Sequence, residues 1–317
     1  MRHWAGPRLL VAAGAAFAVV AQAQPKPEVP QTSAFQVQFH FPPPAERKPV
    51  PFELVHNHIL FKARVEGRDT WAMLDTGLAE TVVDTRFARA SGLNVGPTAG
   101  EARTTTGHLD RQLLLHGARI EIPGQLDVRP PVSAVDLSSV SALFGRPVSL
   151  VIGRDLFDIL AFFVSATGGS FQLSPSGTLH VPPGTPQLEL KNGEGQLDVT
   201  IAGKPAVLTV DLGSDAGIGL SKSAWDRLGL TAAAEGKSVG ADGRLASTKS
   251  AVVASVSIGP IQGRNLSVTA GPMLPDFGDG VIGMGFFSGY DFVIDLNARR
   301  IWLSPVAGHQ TTAGSAR

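Results

Sequence analysis

The sequence predicts an all-β chain made of two similar halves. Three observations point there. Gly (36) and Pro (23) are plentiful among 317 residues and, with Val, Thr and Ser, are spread along the whole length, which favours many short strands joined by turns. A chain of this length suits two lobes. Above all, one long pattern occurs twice.

The elements follow in order. Arg2, His3 and Arg8 precede the apolar run LLVAAGAAFAVVA and the small-x-small stretch Ala21-Gln22-Ala23. Residues 1–23 therefore read as an export leader, with a periplasmic or secreted destination and cleavage expected after Ala23. The run is about 13 residues, short for a bilayer span; retention as an uncleaved anchor is the alternative. Residues 24–50 form a Pro-rich linker and a first strand, in which Phe35, Val37, Phe39 and Phe41 alternate with polar residues until Pro42-Pro43-Pro44. Residues 51–184 and 185–306 are the predicted N-terminal and C-terminal lobes, with PPGTPQ near the boundary, and 307–317 read as a disordered tail.

The repeat defines the lobes. ILFKARVEGRDTWAMLDTGLAETVVD is matched by GQLDVTIAGKPAVLTVDLGSDAGIGL: an alternating strand, a Gly turn, an apolar strand, then an acid closely followed by Gly. Gly67 precedes Asp75 by eight residues, and Gly203 precedes Asp211 by eight. Each copy continues into a short helix, capped by Asp84 and ending at Gly92, or capped by Ser221 and ending at Gly229. Later, LVIGRDLFDILAFFVSATGGSFQLSP aligns with GVIGMGFFSGYDFVIDLNARRIWLSP without a gap. Between the blocks lie two predicted hairpins, ARTTTGHLDRQLLLHGARIEI with its tip near Gly107, and KSVGADGRLASTKSAVVASVSIG with a turn at Ala241-Asp242-Gly243.

Composition excludes several classes of function. Charged residues are 17% and cancel to zero, so no nucleic-acid partner is expected. With no Cys there is no disulfide, thiolate metal site or Cys nucleophile. His56 and His58 could share a strand face but have no third ligand nearby, and no metal or cofactor is expected. No G-x-S-x-G surrounds a Ser. Asp155, Asp158, Asp291 and Asp295 read as surface or turn residues, and the pairs Phe162-Phe163 and Phe286-Phe287 as core.

Met73-Leu74-Asp75-Thr76-Gly77 and Val210-Asp211-Leu212-Gly213-Ser214, supported by Val151-Ile152-Gly153 and Val281-Ile282-Gly283, resemble the aspartic peptidases of the retropepsin-like and pepsin-like superfamily. The resemblance covers about Ile59 to Pro305 and is closest to two-lobed bacterial proteins of that kind. It implies a bilobal acid-protease fold with a central cleft, and an aspartic endopeptidase acting on peptides or unfolded protein. One chain carries both half-sites, so a monomer is expected.

The chemistry suits a duplicated acid. Two carboxyl groups held together share a proton; the ionised one activates water and the protonated one donates to the scissile carbonyl. Asp75 and Asp211 fit these roles, and the sequence leaves open which is protonated. Gly77 and Gly213 permit tight loops.

In the family a Thr or Ser hydroxyl of each loop grips the opposite loop. Thr76 can do so; Leu212 cannot, and Ser214 is not at the matching position. The departure motivates an alternative, a weakly active or non-catalytic peptide-binding protein on the same fold. The resemblance also implies flaps over the substrate, around Thr104, Thr105, Thr106 and Gly107 and around Gly240 and Asp242. The one Tyr, Tyr290, is far from both, which favours the retropepsin-like side.

Overall fold

The computed structural model describes residues 38–103, 108–115, 117–191, 195–306 and 312–313. The leader and most of the linker lie outside these residues, as do Thr104, Thr105, Thr106 and Gly107. Within the described chain the fold is all-β.

Alternation drives the framework. In the strand His58–Val65 the buried side chains Ile59, Phe61, Ala63 and Val65 share one face, while Lys62 and Arg64 point outward. It turns at Glu66-Gly67 and pairs with Arg68–Leu74. In the second half Gln196–Ile201 turns at Ala202-Gly203 and pairs with Lys204–Asp211. Each second strand then lies parallel to a short, fully buried strand: Arg68–Leu74 to Val148–Ile152, and Lys204–Asp211 to Gly280–Gly283. Parallel strands covered on both sides lose their alternation and become continuously apolar, as VSLVI shows.

The second half closes on itself. Strand Gln196–Ile201 pairs with Lys204–Asp211, then Gly280–Gly283, Ile218–Leu220, Ile261–Ala270 and Leu245–Ile258, which returns to Gln196–Ile201. Closure leaves no exposed edge within this six-stranded ring. The first half uses equivalent strands but breaks the long ones. Its predicted hairpin is interrupted: Val95–Arg103 pairs with His108–Leu115, and Ile120–Ile122 is a separate strand after a bend at Gly117, φ 74°. Leu126–Arg129 and Val132–Val135 are separated by Pro130-Pro131, which lack the N–H a ladder needs.

The repeats meet in one antiparallel ladder. Strand Leu160–Ser165 pairs with Tyr290–Asp295, with Phe163 opposite Val293. These two are also equivalent in the gapless repeat, 130 residues apart. Equivalent strands paired antiparallel through equivalent residues are related by a local twofold axis. Ser170–Pro175 and Arg300–Pro305 flank this pair, and Gln187–Glu189 extends it.

Both helix caps form as expected. Asp84 accepts from the Phe87 N–H at 2.8 Å, and the Ser221 hydroxyl from the Ala224 N–H at 3.2 Å. In the predicted tail, Thr312–Ala313 pairs with Ile261–Gln262. Two expectations are corrected. Asp295 ends a strand and is buried rather than at the surface, accepting from the Ser176 hydroxyl and the Gly177 and Ala298 N–H groups. Phe163 is half-buried, unlike Phe162, Phe286 and Phe287 in the core.

Candidate active site

Each acid stands where an apolar strand ends. Ala72, Met73 and Leu74 are buried before Asp75; Thr209 and Val210 are buried before Asp211. The parallel neighbour fixes each exit: the Asp75 N–H donates to the Ile152 carbonyl at 3.0 Å, and Asp211 lies opposite Gly283.

Gly153 and Gly283 explain the paired apolar-apolar-Gly segments. A Cβ on Gly153 would overlap the Glu80 backbone, and one on Gly283 would lie 2.6 Å from the Ala216 carbonyl oxygen. The loop after each acid can therefore lie directly on these glycines. It is held there by N–H groups of the following short helix, Arg154 to Leu78 at 2.7 Å and Met284 to Ser214 at 2.9 Å.

The two acidic loops face one another. The Asp75 and Asp211 carboxyl groups lie close enough for each to shift the other's proton affinity. A Cβ on Gly77 would sit 2.6 Å from Asp211 Oδ1, and one on Gly213 would overlap the Asp75 carboxyl. Each glycine is thus needed for the approach of the opposite acid.

The surroundings of the acids differ. Asp75 Oδ1 accepts from Gly77 N–H at 2.9 Å and Leu78 N–H at 3.1 Å. Asp211 Oδ1 accepts from Gly213 N–H at 2.9 Å, but the N–H of Ser214, the counterpart of Leu78, turns to the Asp211 main-chain carbonyl. Burial pushes both carboxyls up. For Asp75 the Gly77 and Leu78 donors oppose that rise. Asp211 is pushed well above the ordinary range by burial and then by the Asp75 charge.

Thr76 is buried and its hydroxyl spans the loops, donating to the Val210 carbonyl at 2.9 Å and accepting from the Leu212 N–H at 3.0 Å. Leu212 is fully buried in the apolar core. The Ser214 hydroxyl accepts from Ala216 N–H at 3.4 Å within its own loop. Gly240 and Asp242 lie in the hairpin turn between Ala234–Val239 and Leu245–Ile258. Gly240 accepts from the Gly243 N–H and Asp242 from the Arg244 N–H. A Cβ on Gly243 would lie 3.1 Å from the Ser139 hydroxyl, so this turn reaches the start of the helix Ser138–Phe144 in the first half. Thr105, Thr106 and Gly107 lie outside the described residues.

Sequence reasoning missed the turn that holds the second loop. His56 and Asn57 are not on a strand face: both have left-handed φ, 48° and 58°, and reverse the chain. The turn brings His58 Nε2 to the Gly213 carbonyl at 2.9 Å and Asn57 Nδ2 to the Asp215 carbonyl at 3.1 Å. The adjacent His-Asn-His was a local signal for a turn, not for a contact 155 residues away.

No curated protein matches the chain. Residues 197–286 match the family profile described as aspartyl protease, a span that contains Asp211, Gly213 and Gly283. That match falls on the half whose acidic loop departs from the pattern, and the first half repeats the same loop with Thr in place; the similarity to aspartyl proteases is seen for residues 197–286.

Proposed function

We propose that the protein is an aspartic endopeptidase in which Asp75 is the base and Asp211 carries the proton. One observation carries this reading: two acids from equivalent loops face each other, and each loop's glycine lies against the opposite carboxyl. The choice of base follows from the balance at each acid. At Asp75 the Gly77 and Leu78 N–H groups oppose the effect of burial; at Asp211 burial and the Asp75 charge outweigh the Gly213 and Gly77 N–H groups, and it holds its proton.

Asp75 takes a proton from a water molecule as its oxygen attacks the scissile carbonyl carbon. Asp211 gives its proton to the carbonyl oxygen, forming a gem-diol. The proton on Asp75 then passes to the departing nitrogen, Asp211 recovers a proton from the gem-diol, and the C–N bond breaks to leave an acid and an amine. The turn at Gly240–Gly243 is a candidate cover for an extended peptide bound by main-chain hydrogen bonds. No cofactor is required, and both acids come from one chain, consistent with a monomer. The N-terminal pattern supports export to the periplasm or medium. No described helix is long and apolar enough to cross a membrane.

The test is cleavage of a set of internally quenched peptides across acid and neutral pH. Asp75→Asn and Asp211→Asn are each expected to lower kcat by about 10³-fold or more, within the reach of general acid–base catalysis, with unchanged circular dichroism. Full activity in both variants would refute the reading. The second reading, a peptide-binding protein without turnover, rests on Leu212. It predicts that the wild-type chain binds these peptides and cuts none.

A further inference from the structure

Leu212 removes one of the two hydroxyls that could cross between the acidic loops, yet the second loop is tied to the first half at three points. Its Leu212 N–H is taken by Thr76, its Gly213 carbonyl by His58 Nε2 and its Asp215 carbonyl by Asn57 Nδ2. The last two ties come from the turn at residues 56–57 and the strand residue that follows it.

We propose that His58, aided by Asn57, is a positioning residue that holds the Asp211 loop in register with Asp75 in place of the absent hydroxyl; this rests on reading Asp75 and Asp211 as the reacting pair. The ring is built into its place. It is buried, its Nδ1 lies 2.7 Å from the His56 carbonyl, and it packs edge-on against Phe144 with ring centroids 5.1 Å apart. Both ring nitrogens face carbonyls, which only accept, and the proposal requires the hydrogen on Nε2, directed at Gly213. The peptide it grips belongs to the glycine that lies against the Asp75 carboxyl. A shift of that glycine would change the separation of the acids directly. By the repeat's 136-residue offset, a hydroxyl at position 212 would face the Leu74 carbonyl and Thr76 N–H, joining the same two loops from the other side.

Replacing His58 should therefore lower turnover, and restoring the hydroxyl should recover it. His58→Phe keeps the packing on Phe144 and removes the donor. Its kcat on the peptide that the wild-type chain cuts fastest is expected to fall about tenfold, with KM within about twofold, since small misplacements of reacting groups cost this much or more. Amide exchange at Leu212 and Gly213 is expected to quicken by about the same factor. The double variant His58→Phe with Leu212→Thr should regain most of both. Asn57→Gly, which keeps the left-handed turn, should give a smaller loss of the same kind, and His58→Gln, which retains a donor, should lose less than His58→Phe. These two carry the test if His58→Phe does not fold.

Unchanged kcat and exchange in the folded variants would overturn the proposal, as would a double variant no better than His58→Phe. Should the wild-type chain cut no peptide, the peptidase reading falls. The exchange pattern alone then decides whether this turn holds the loop.

Discussion

At the residue scale the site is governed by where a single carbon cannot fit. Gly213→Ala would place a methyl group on the Asp75 carboxyl, so the acids must separate or the loop must move. The expected result is a folded protein with at least about 100-fold lower peptide cleavage, because the two acids can no longer face each other at their present separation. Gly203→Ala is the control. Nothing lies within 4 Å of its Cβ, but φ is 78°, so it should cost about 1 kcal/mol in chemical denaturation and leave cleavage unchanged. Equal loss of activity in both would show that the glycines matter only for backbone freedom. Leu212 follows the same logic with the opposite sign. Burying its side chain is worth about 2 kcal/mol, more than the ~1 kcal/mol of an ordinary hydrogen bond. At this position the sequence has taken core stability over a second hydroxyl tie.

At the scale of elements, the acidic loops depend on the short helices beneath them, and the two halves fasten them differently. In the first half Asp155 Oδ1 accepts from both the N–H (2.9 Å) and the hydroxyl (2.7 Å) of Thr81, and that hydroxyl accepts from the Gly153 N–H. Asp155 reads as a surface or turn residue in the sequence; the structure makes it a half-buried bracket, with burial raising its pKa against the opposing Thr81 bonds. Its counterpart is Gly285, whose N–H binds the Ala216 carbonyl and where a Cβ would lie 2.6 Å from the Asp215 carbonyl oxygen. Asp155→Ala strands the buried Thr81 donors and should cost about 2–3 kcal/mol in denaturant unfolding; Asp155→Asn, which retains an acceptor, should cost less. Equal, negligible losses would exclude the bracket. The contrast also shows what a sequence discloses. Helix caps at Asp84 and Ser221 are legible because cap and helix are adjacent. The strands before Asp75 and Asp211 are legible because periodicity is local and the repeat doubles the signal. Asp155 and His58 act on residues 74 and 155 positions away, and the repeat gives no help where its copies differ. Pro130-Pro131 accounts for one break among the strands of the first half, but a local signal of that kind does not say what the neighbouring strands pair with.

At the scale of the whole molecule, the buried acids set how stability depends on pH. Both pKa values are raised in the folded state, that of Asp211 more, by burial and by the Asp75 charge. Between the ordinary carboxylate range, near 4, and these raised values, the folded chain holds protons that the unfolded chain has released. Stability from the pair is therefore fully present at low pH and lost as pH rises through the folded values. Other carboxylates pull the opposite way: Asp127, lowered chiefly by its hydrogen bond to Arg119, and Asp226, lowered by Lys222, favour the fold above the ordinary range and lose that contribution on acidification. Both are exposed enough for solvent to screen them. The total curve consequently mixes both signs, and the difference between wild type and Asp211→Asn isolates the pair, since Asp127, Asp155 and Asp226 are common to both proteins. Urea unfolding at intervals from pH 3 to pH 8 should show the variant gaining stability relative to wild type as pH rises, with the gap opening above the ordinary carboxylate range. Parallel curves would mean that Asp211 ionises in the fold as readily as in the unfolded chain. Such an acid could not hold the proton that hydrolysis requires, and the assignment of Asp211 as the proton donor would fail with it.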